Sequence, residues 1–201
     1  MEPALKLVVG LGNPGQEYMF TRHNMGWAVI DHIASNHSLG SPVSKFRGEF
    51  WRDRDCLLLK PETFMNLSGL AVREAFDFYK MESADVLIIC DEMALPYGQL
   101  RLRAGGSAGG HNGLASVISC LGATDVSRLR IGIGKSPSQA AIHQNTVNWV
   151  LGHLSKDEME AFPDIIDKAA EGVDAWLNLD IDRAMSKVNR SVKKPSPPLS
   201  S

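Results

Sequence analysis

Apolar residues fall into two arrangements along this chain: short unbroken runs, and longer stretches in which they recur every three or four positions. Leu5–Leu11 and Val86–Asp91 are runs of the first kind, and they read as buried strands. Further strands are expected at Glu49–Arg52, Cys56–Lys60, Gln99–Arg103 and Arg128–Ile133. Helical spacing covers Gly26–Asn36, Ser68–Lys80 and Gly113–Leu121. Ser155-Lys156-Asp157-Glu158 has the form of a capping box opening an acidic helical region, in which Pro163 marks a kink or a second start. A last helix is expected over Asp182–Asn189. Strands alternating with helices predict an α/β layer fold. Only Asp53-Arg54-Asp55 separates the second and third strands, so that pair is an antiparallel hairpin and the sheet is mixed. Residues 1–190 are expected to form one domain, and 191–201 a Pro/Ser-rich tail with nothing to pack, hence disordered.

Composition bounds the class. At 201 residues, 44% hydrophobic and 22% charged, this is an ordinary globular chain, one that can bury about 70% of its unfolded surface without staples. Cys56, Cys90 and Cys120 lie far apart in apolar contexts, which predicts reduced core cysteines of a cytoplasmic protein rather than disulfides or zinc ligands. The start Met1-Glu2-Pro3 has no basic or apolar leader, and no stretch approaches the roughly 18 apolar residues of a membrane helix, so neither secretion nor membrane insertion is expected. Net charge is −2, but its distribution is uneven. Five basic residues stand against one acid between Arg101 and Lys135, and nine acids against one base between Asp157 and Asp182. A basic face usable for phosphate is one reading, and solvated strand ends are the other.

Two motifs match familiar patterns without their context. Gly10-x-Gly12-x-x-Gly15 follows a strand as a dinucleotide fingerprint should. Yet Pro14-Gly15 leads into polar residues rather than a helix, and the expected acid at the end of a second strand is missing. Gly105-x-Ser107-x-Gly109 resembles a nucleophile elbow, but glycines run on through Gly113 and no clear acid and histidine follow. A Ser107-dependent serine esterase is thus kept as an inferior alternative. The six histidines show no metal-ligand spacing.

What remains is a set of amides around one imidazole. His23 and Asn24 stand on the polar loop after the first strand, Asn13 directly follows that strand, and Asn66 follows the strand ending at Lys60. Asn112 follows the glycine tract at a helix start, and Asp91 ends the apolar strand Val86–Cys90. Open α/β sheets place their chemistry past strand carboxyl ends, where these residues can share one rim. An amide donates and accepts without charge, which suits peptide or ester carbonyls beside a polyanion, although any single Asn serves equally as a cap or turn former.

These residues sit in five ordered blocks: Val9–Gly15 with Thr21–Asn24, Lys60–Gly69, Asp91-Glu92 with Leu95-Pro96, Gly105–Leu114, and Arg128–Gly134. In them the chain resembles the bacterial peptidyl-tRNA hydrolases along nearly its whole length. The resemblance implies a single-domain, three-layer α/β/α fold with a mixed, mostly parallel twisted sheet, usually monomeric. It also implies hydrolysis of the ester joining a peptide to the 3′ end of tRNA, with no metal or cofactor. By position, His23 matches the family's base, Asp91 the acid that orients it, and Asn13 the residue that distinguishes peptidyl from free aminoacyl substrates. Tyr18, Phe64, Asn66 and Asn112 match positions that contact tRNA or peptide, and Arg130 the arginine of a 5′-phosphate clamp. Two departures stand out: Ala94 replaces a second acid, and the clamp's lysine has no clear counterpart, leaving Lys135 or His143 as substitutes. Arg101/Arg103 and Arg128/Arg130 are the expected tRNA-facing clusters. A non-catalytic RNA-binding module that has kept the fold is the second alternative.

Overall fold

The first apolar run becomes β1 (Lys6–Gly10), in the interior of a seven-stranded sheet. The computed structural model describes residues 5–54, 56–135 and 142–190, with backbone alone for 142–145. After β1 come α1 (Met25–Asn36), β2 (Val43–Lys45), β3 (Gly48–Asp53), β4 (Cys56–Pro61), α2 (Ser68–Tyr79), β5 (Val86–Glu92) and β6 (Leu100–Arg103). The order closes with α3 (Asn112–Leu121), β7 (Ser127–Gly132), α4 (Ile142–Val150), α5 (Lys156–Asn178) and α6 (Ile181–Asn189). Across the sheet the order is β2-β3-β4-β1-β5-β7-β6. The four strands from β4 to β7 run parallel, and antiparallel pairs complete both edges.

Alternation along β1 explains why its sequence is apolar from Leu7 onward. Leu7 and Val9 point to one face, into a core shared with Ala71, Val72, Leu114 and Val117 of α2 and α3. Val8 points to the other, against Val29 and Ile30 of α1 and Ile166 and Ala169 of α5. Helices thus cover both sides, and only Lys6, at the partly exposed start of the strand, is polar. At the edge, the Asn189 amide donates to the Leu102 carbonyl (3.2 Å) and accepts from the Leu102 N–H (2.8 Å). It pairs β6 as a further strand would and so blunts an exposed edge.

One close approach places the chemistry. A Cβ on Gly10 would stand 2.2 Å from the Gly26 carbonyl oxygen, and one on Gly26 would stand 2.5 Å from that of Ile89. Only glycines let α1 rest its first turn directly on the ends of β1 and β5. The 3₁₀ turn Arg22–Asn24, just before α1, is thereby set over the strand ends. Arg22 fastens it from the other side: its guanidinium binds both carboxylate oxygens of Glu158 (2.9 and 2.6 Å) and lies over the Trp149 ring. Glu158 is itself the acidic partner in the capping box with Ser155.

Two expectations need correction, and two elements were missed. α5 runs unbroken through Pro163. In the second turn of a helix, the missing N–H leaves only one carbonyl, that of Met159, without its intrahelical donor. The N-cap of α3 is His111 rather than Asn112. Strand β2 and helix α4 were not anticipated.

Candidate active site at the strand ends

The loop after β1 is locked by amides. Asn24 accepts from the Asn13 N–H at 2.9 Å and donates to the Asn13 carbonyl at 3.0 Å, a two-bond clamp between the loop's ends. The Asn13 side-chain oxygen accepts from the Met65 N–H at 2.8 Å. Since a backbone N–H can only donate, this bond fixes which end of the Asn13 amide is oxygen. Its NH₂ therefore faces away from Met65 and makes no hydrogen bond with the described residues.

Asp91 lies near the carboxyl end of β5, 4% exposed. One of its oxygens, Oδ1, accepts from His23 Nδ1 at 2.7 Å and from His111 Nε2 at 3.0 Å. The two imidazoles stand 4.9 Å apart, tilted by 44°. His111 also caps α3, with Nδ1 accepting from the Leu114 N–H at 3.2 Å. That bond requires a lone pair on Nδ1, so the proton of neutral His111 sits on Nε2 and points at Asp91. For His23 the same logic puts the proton on Nδ1, leaving Nε2 as a free base. Burial alone would push the Asp91 carboxyl up, but the His23 and His111 rings hold it well below the usual carboxylate range. Asp91 is therefore a carboxylate at neutral pH.

His23, Asp91 and His111 are also the trio that could hold a metal ion among the described residues, their ligand atoms all lying within 4.8 Å of one another. A cation on His111 Nε2 would have to displace its proton to Nδ1, where it would face the Leu114 N–H. As bonded here, the trio is arranged around protons. Cysteine nucleophiles are no better placed: burial pushes the Cys56 and Cys90 thiols up to about 12, so both stay protonated at neutral pH.

Of the residues singled out from sequence, His23 is bonded directly to Asp91, and Asn13 is tied to the neighbouring Asn24 on the same loop. Asn66 is exposed on the 3₁₀ turn Met65–Leu67, beside the residue that orients Asn13. Asn112 is exposed beside His111. The two turns meet, because a Cβ on Gly113 would lie 2.3 Å from Met65 Sδ. Phe64 is 57% exposed and Tyr18 half-buried on a separate 3₁₀ turn. Arg130 is half-buried, ion-paired to Glu92 at 2.6 Å and bonded to the Ser107 carbonyl at 3.2 Å. Lys135 is exposed, and the His143 side chain lies outside the described residues.

Arg128 corrects the expected basic face. It is fully buried, and its guanidinium donates to the carbonyls of Gly106, Ser107, Thr124 and Val126. The elbow motif also dissolves: β6 ends at Arg103 and α3 starts at Asn112, so Ser107 sits in the middle of a loop with no strand-to-helix turn. Sequence reasoning gave His111 no role. The signal was its position immediately before a helix start, where a side-chain acceptor is wanted.

Comparison with known proteins points the same way as the geometry. A family model described as peptidyl-tRNA hydrolase matches residues 7–196. The chain is 42% identical over 189 residues to the peptidyl-tRNA hydrolase of Syntrophomonas wolfei, covering 92% of this chain and 100% of that one. It is 40% identical over 192 residues to the peptidyl-tRNA hydrolase of Geobacter sulfurreducens, covering 92% and 96%. The crystal structure of peptidyl-tRNA hydrolase from Acinetobacter baumannii superposes with a TM-score of 0.83 at 35% identity, covering 92% of this chain and 94% of that one. With a match of this extent at the level of family, sequence and fold, the chain belongs to the peptidyl-tRNA hydrolase family.

Proposed function

We propose that this chain hydrolyses the ester between a peptide, or an N-blocked amino acid, and the 3′ end of tRNA, recycling tRNA for translation as a cytoplasmic monomer. The observation that carries the mechanism is the 2.7 Å bond from His23 Nδ1 to Asp91, which leaves Nε2 available as a base. Nε2 takes a proton from water, and the hydroxide equivalent attacks the ester carbonyl. Asp91 holds the ring in the productive tautomer and stabilises the imidazolium as it forms. The exposed amide of Asn66 donates to the developing oxyanion. His23 then returns its proton to the departing ribose oxygen.

Asn13 supplies selectivity through the orientation of its amide. Its oxygen is engaged by Met65, so it offers the substrate only a donor. An acyl carbonyl on the substrate nitrogen accepts from that donor. A free α-ammonium cannot, and leaves the NH₂ unpaired in a buried site. Replacing Asn13 with Ala is expected to reduce the preference for N-acetylaminoacyl-tRNA over unblocked aminoacyl-tRNA by roughly 10–100-fold, the worth of one buried unpaired donor. The ratio of kcat/KM for the two substrates is the measurement, and an unchanged ratio removes the role.

Arg130 and its ladder neighbours supply the phosphate contacts. Arg101 lies opposite Arg130, and Arg103 opposite the buried Arg128, so Arg101, Arg103 and Arg130 are the arginines of this ladder left to face a polyanion. Like charges directly opposite destabilise a sheet, and an anionic partner relieves them. Exposed Phe64 and half-buried Tyr18 offer ring faces to the terminal bases, with Asn112 at the crevice edge. Purified protein incubated with N-acetylaminoacyl-tRNA and EDTA is expected to release deacylated tRNA. Binding without release would favour a non-catalytic RNA-binding module, and cleavage that EDTA abolishes would overturn the metal-free mechanism.

A further inference from the structure

The loop joining β6 to α3 is nearly all glycine, alanine and serine, and Gly106, Gly109 and Gly110 adopt positive φ (127°, 61° and 86°). Such a segment has no side chains with which to fix its own shape. It nevertheless ends on His111, which bonds Asp91, and carries the Ser107 carbonyl, which bonds Arg130.

Something beneath the loop must hold it, and that group is a guanidinium. Arg128 is 0% exposed, and among the described residues its guanidinium pairs only with backbone carbonyls. Nη1 donates to the Gly106 and Ser107 carbonyls at 2.7 and 3.1 Å, Nη2 to Thr124 at 3.3 Å, and Nε to Val126 at 3.0 Å. Burying a cation without an anion is costly, and the neighbouring Arg130 charge adds to that cost. An apolar side chain would fill the space more cheaply, so the fold retains the guanidinium for what its fork can do: tie two loop carbonyls to two strand-end carbonyls in one rigid unit.

Ser107 is where this unit meets the substrate face. Its single carbonyl oxygen accepts from both Arg128 and Arg130. Glu92 holds the Arg130 guanidinium from the other side. We infer that Arg128 is a positioning residue for substrate binding: from inside the protein it sets the Ser107 carbonyl, and through it the guanidinium of Arg130. This rests on the proposed function, in which Arg130 meets tRNA phosphate.

The test is a double-substitution cycle read by steady-state kinetics on N-acetylaminoacyl-tRNA and by tRNA affinity. A lysine at 128 keeps the charge but cannot span both pairs of carbonyls. Arg128→Lys is expected to raise KM by about 10-fold with kcat within about 2-fold, whereas in an Arg130→Gln background it adds no more than about 2-fold. A merely destabilised protein would lose affinity equally in both backgrounds. Gly106→Ala strains the loop at a positive φ (127°), with its Cβ in ordinary contact with Arg128 Nη1 at 3.6 Å, and is expected to reproduce the effect on KM if the lysine variant folds poorly. An unchanged KM in Arg128→Lys, equal effects in both backgrounds, or a fall confined to kcat would overturn the inference. So would an Arg130→Gln variant with wild-type affinity. Wild-type protein that binds tRNA without cleaving it would instead defeat the enzymatic reading, and the affinity cycle would still decide the role of Arg128.

Discussion

Alanine in place of His23 is expected to lower kcat on N-acetylaminoacyl-tRNA by about 10²–10⁴-fold, the usual worth of a positioned general base. KM should stay within about 3-fold, because the interactions lost belong to the reacting water rather than to the bound tRNA. Among the described residues, the other imidazole beside Asp91 is not available as a replacement. His111 lies 4.9 Å away but has its Nδ1 committed to the Leu114 N–H and its Nε2 proton directed at Asp91. The protein should still fold, since α1 keeps its seat through Gly10 and Gly26 and the preceding turn keeps the Arg22–Glu158 pair. Kinetics on refolded, tRNA-binding variant protein is the measurement. Activity within 10-fold of wild type would show that another group activates the water.

The layers of this fold were legible where residues obey one local rule. Runs such as Leu7–Leu11 and Val86–Cys90 are apolar because both faces are covered, and the observed strands agree with the expected ones within a residue or two. The hairpin at Arg54 and the Ser155–Glu158 box were readable for the same reason: turn and cap chemistry is local. Elements defined by their partners were not. β2 is three residues long and largely exposed, and only its pairing with β3 makes it a strand. α4 is built largely from Ile, Asn, Thr and Val, residues of weak helix propensity, so its sequence carries no strong helical signal.

The site divides along the same line. His23, Asp91 and Asn13 follow strand ends, a position that sequence can mark. His111 escaped because its meaning lies in an acid 20 residues away on another strand, and because its capping role looks like that of any loop residue. Arg128 and Arg130 are two positions apart on one strand and chemically identical, yet one is interior and the other reaches the surface region. What separates them is the glycine loop folding back over the first, a tertiary event that no local pattern encodes.

Two substitutions at Asp91 should separate charge from orientation. In Asp91→Asn the amide oxygen can occupy the place of Oδ1 and still accept from both imidazoles, so the His23 tautomer survives and only the charge is lost. Hydrogen bonds to charged groups are worth about 1.5–3 kcal/mol, which corresponds to roughly 10–150-fold in kcat. Asp91→Ala also frees the His23 ring to rotate and should approach the loss seen without His23, about 10²–10⁴-fold. Stability gives an independent reading of the same carboxylate. Its folded pKa is depressed, chiefly by the two imidazoles against the opposing effect of burial, so ionised Asp91 favours the native state. That contribution is present above the unfolded carboxyl value of about 3.9 and is lost as pH falls through the lower folded value. Wild type should therefore be more stable than Asp91→Asn at neutral pH, with the gap closing as the solution is acidified below about pH 4. Denaturation across a pH series and kcat at neutral pH can be measured on the same samples. Equal rates for the two variants would mean that Asp91 acts through charge alone, and a stability gap that does not depend on pH would mean that its ionisation contributes nothing to the fold.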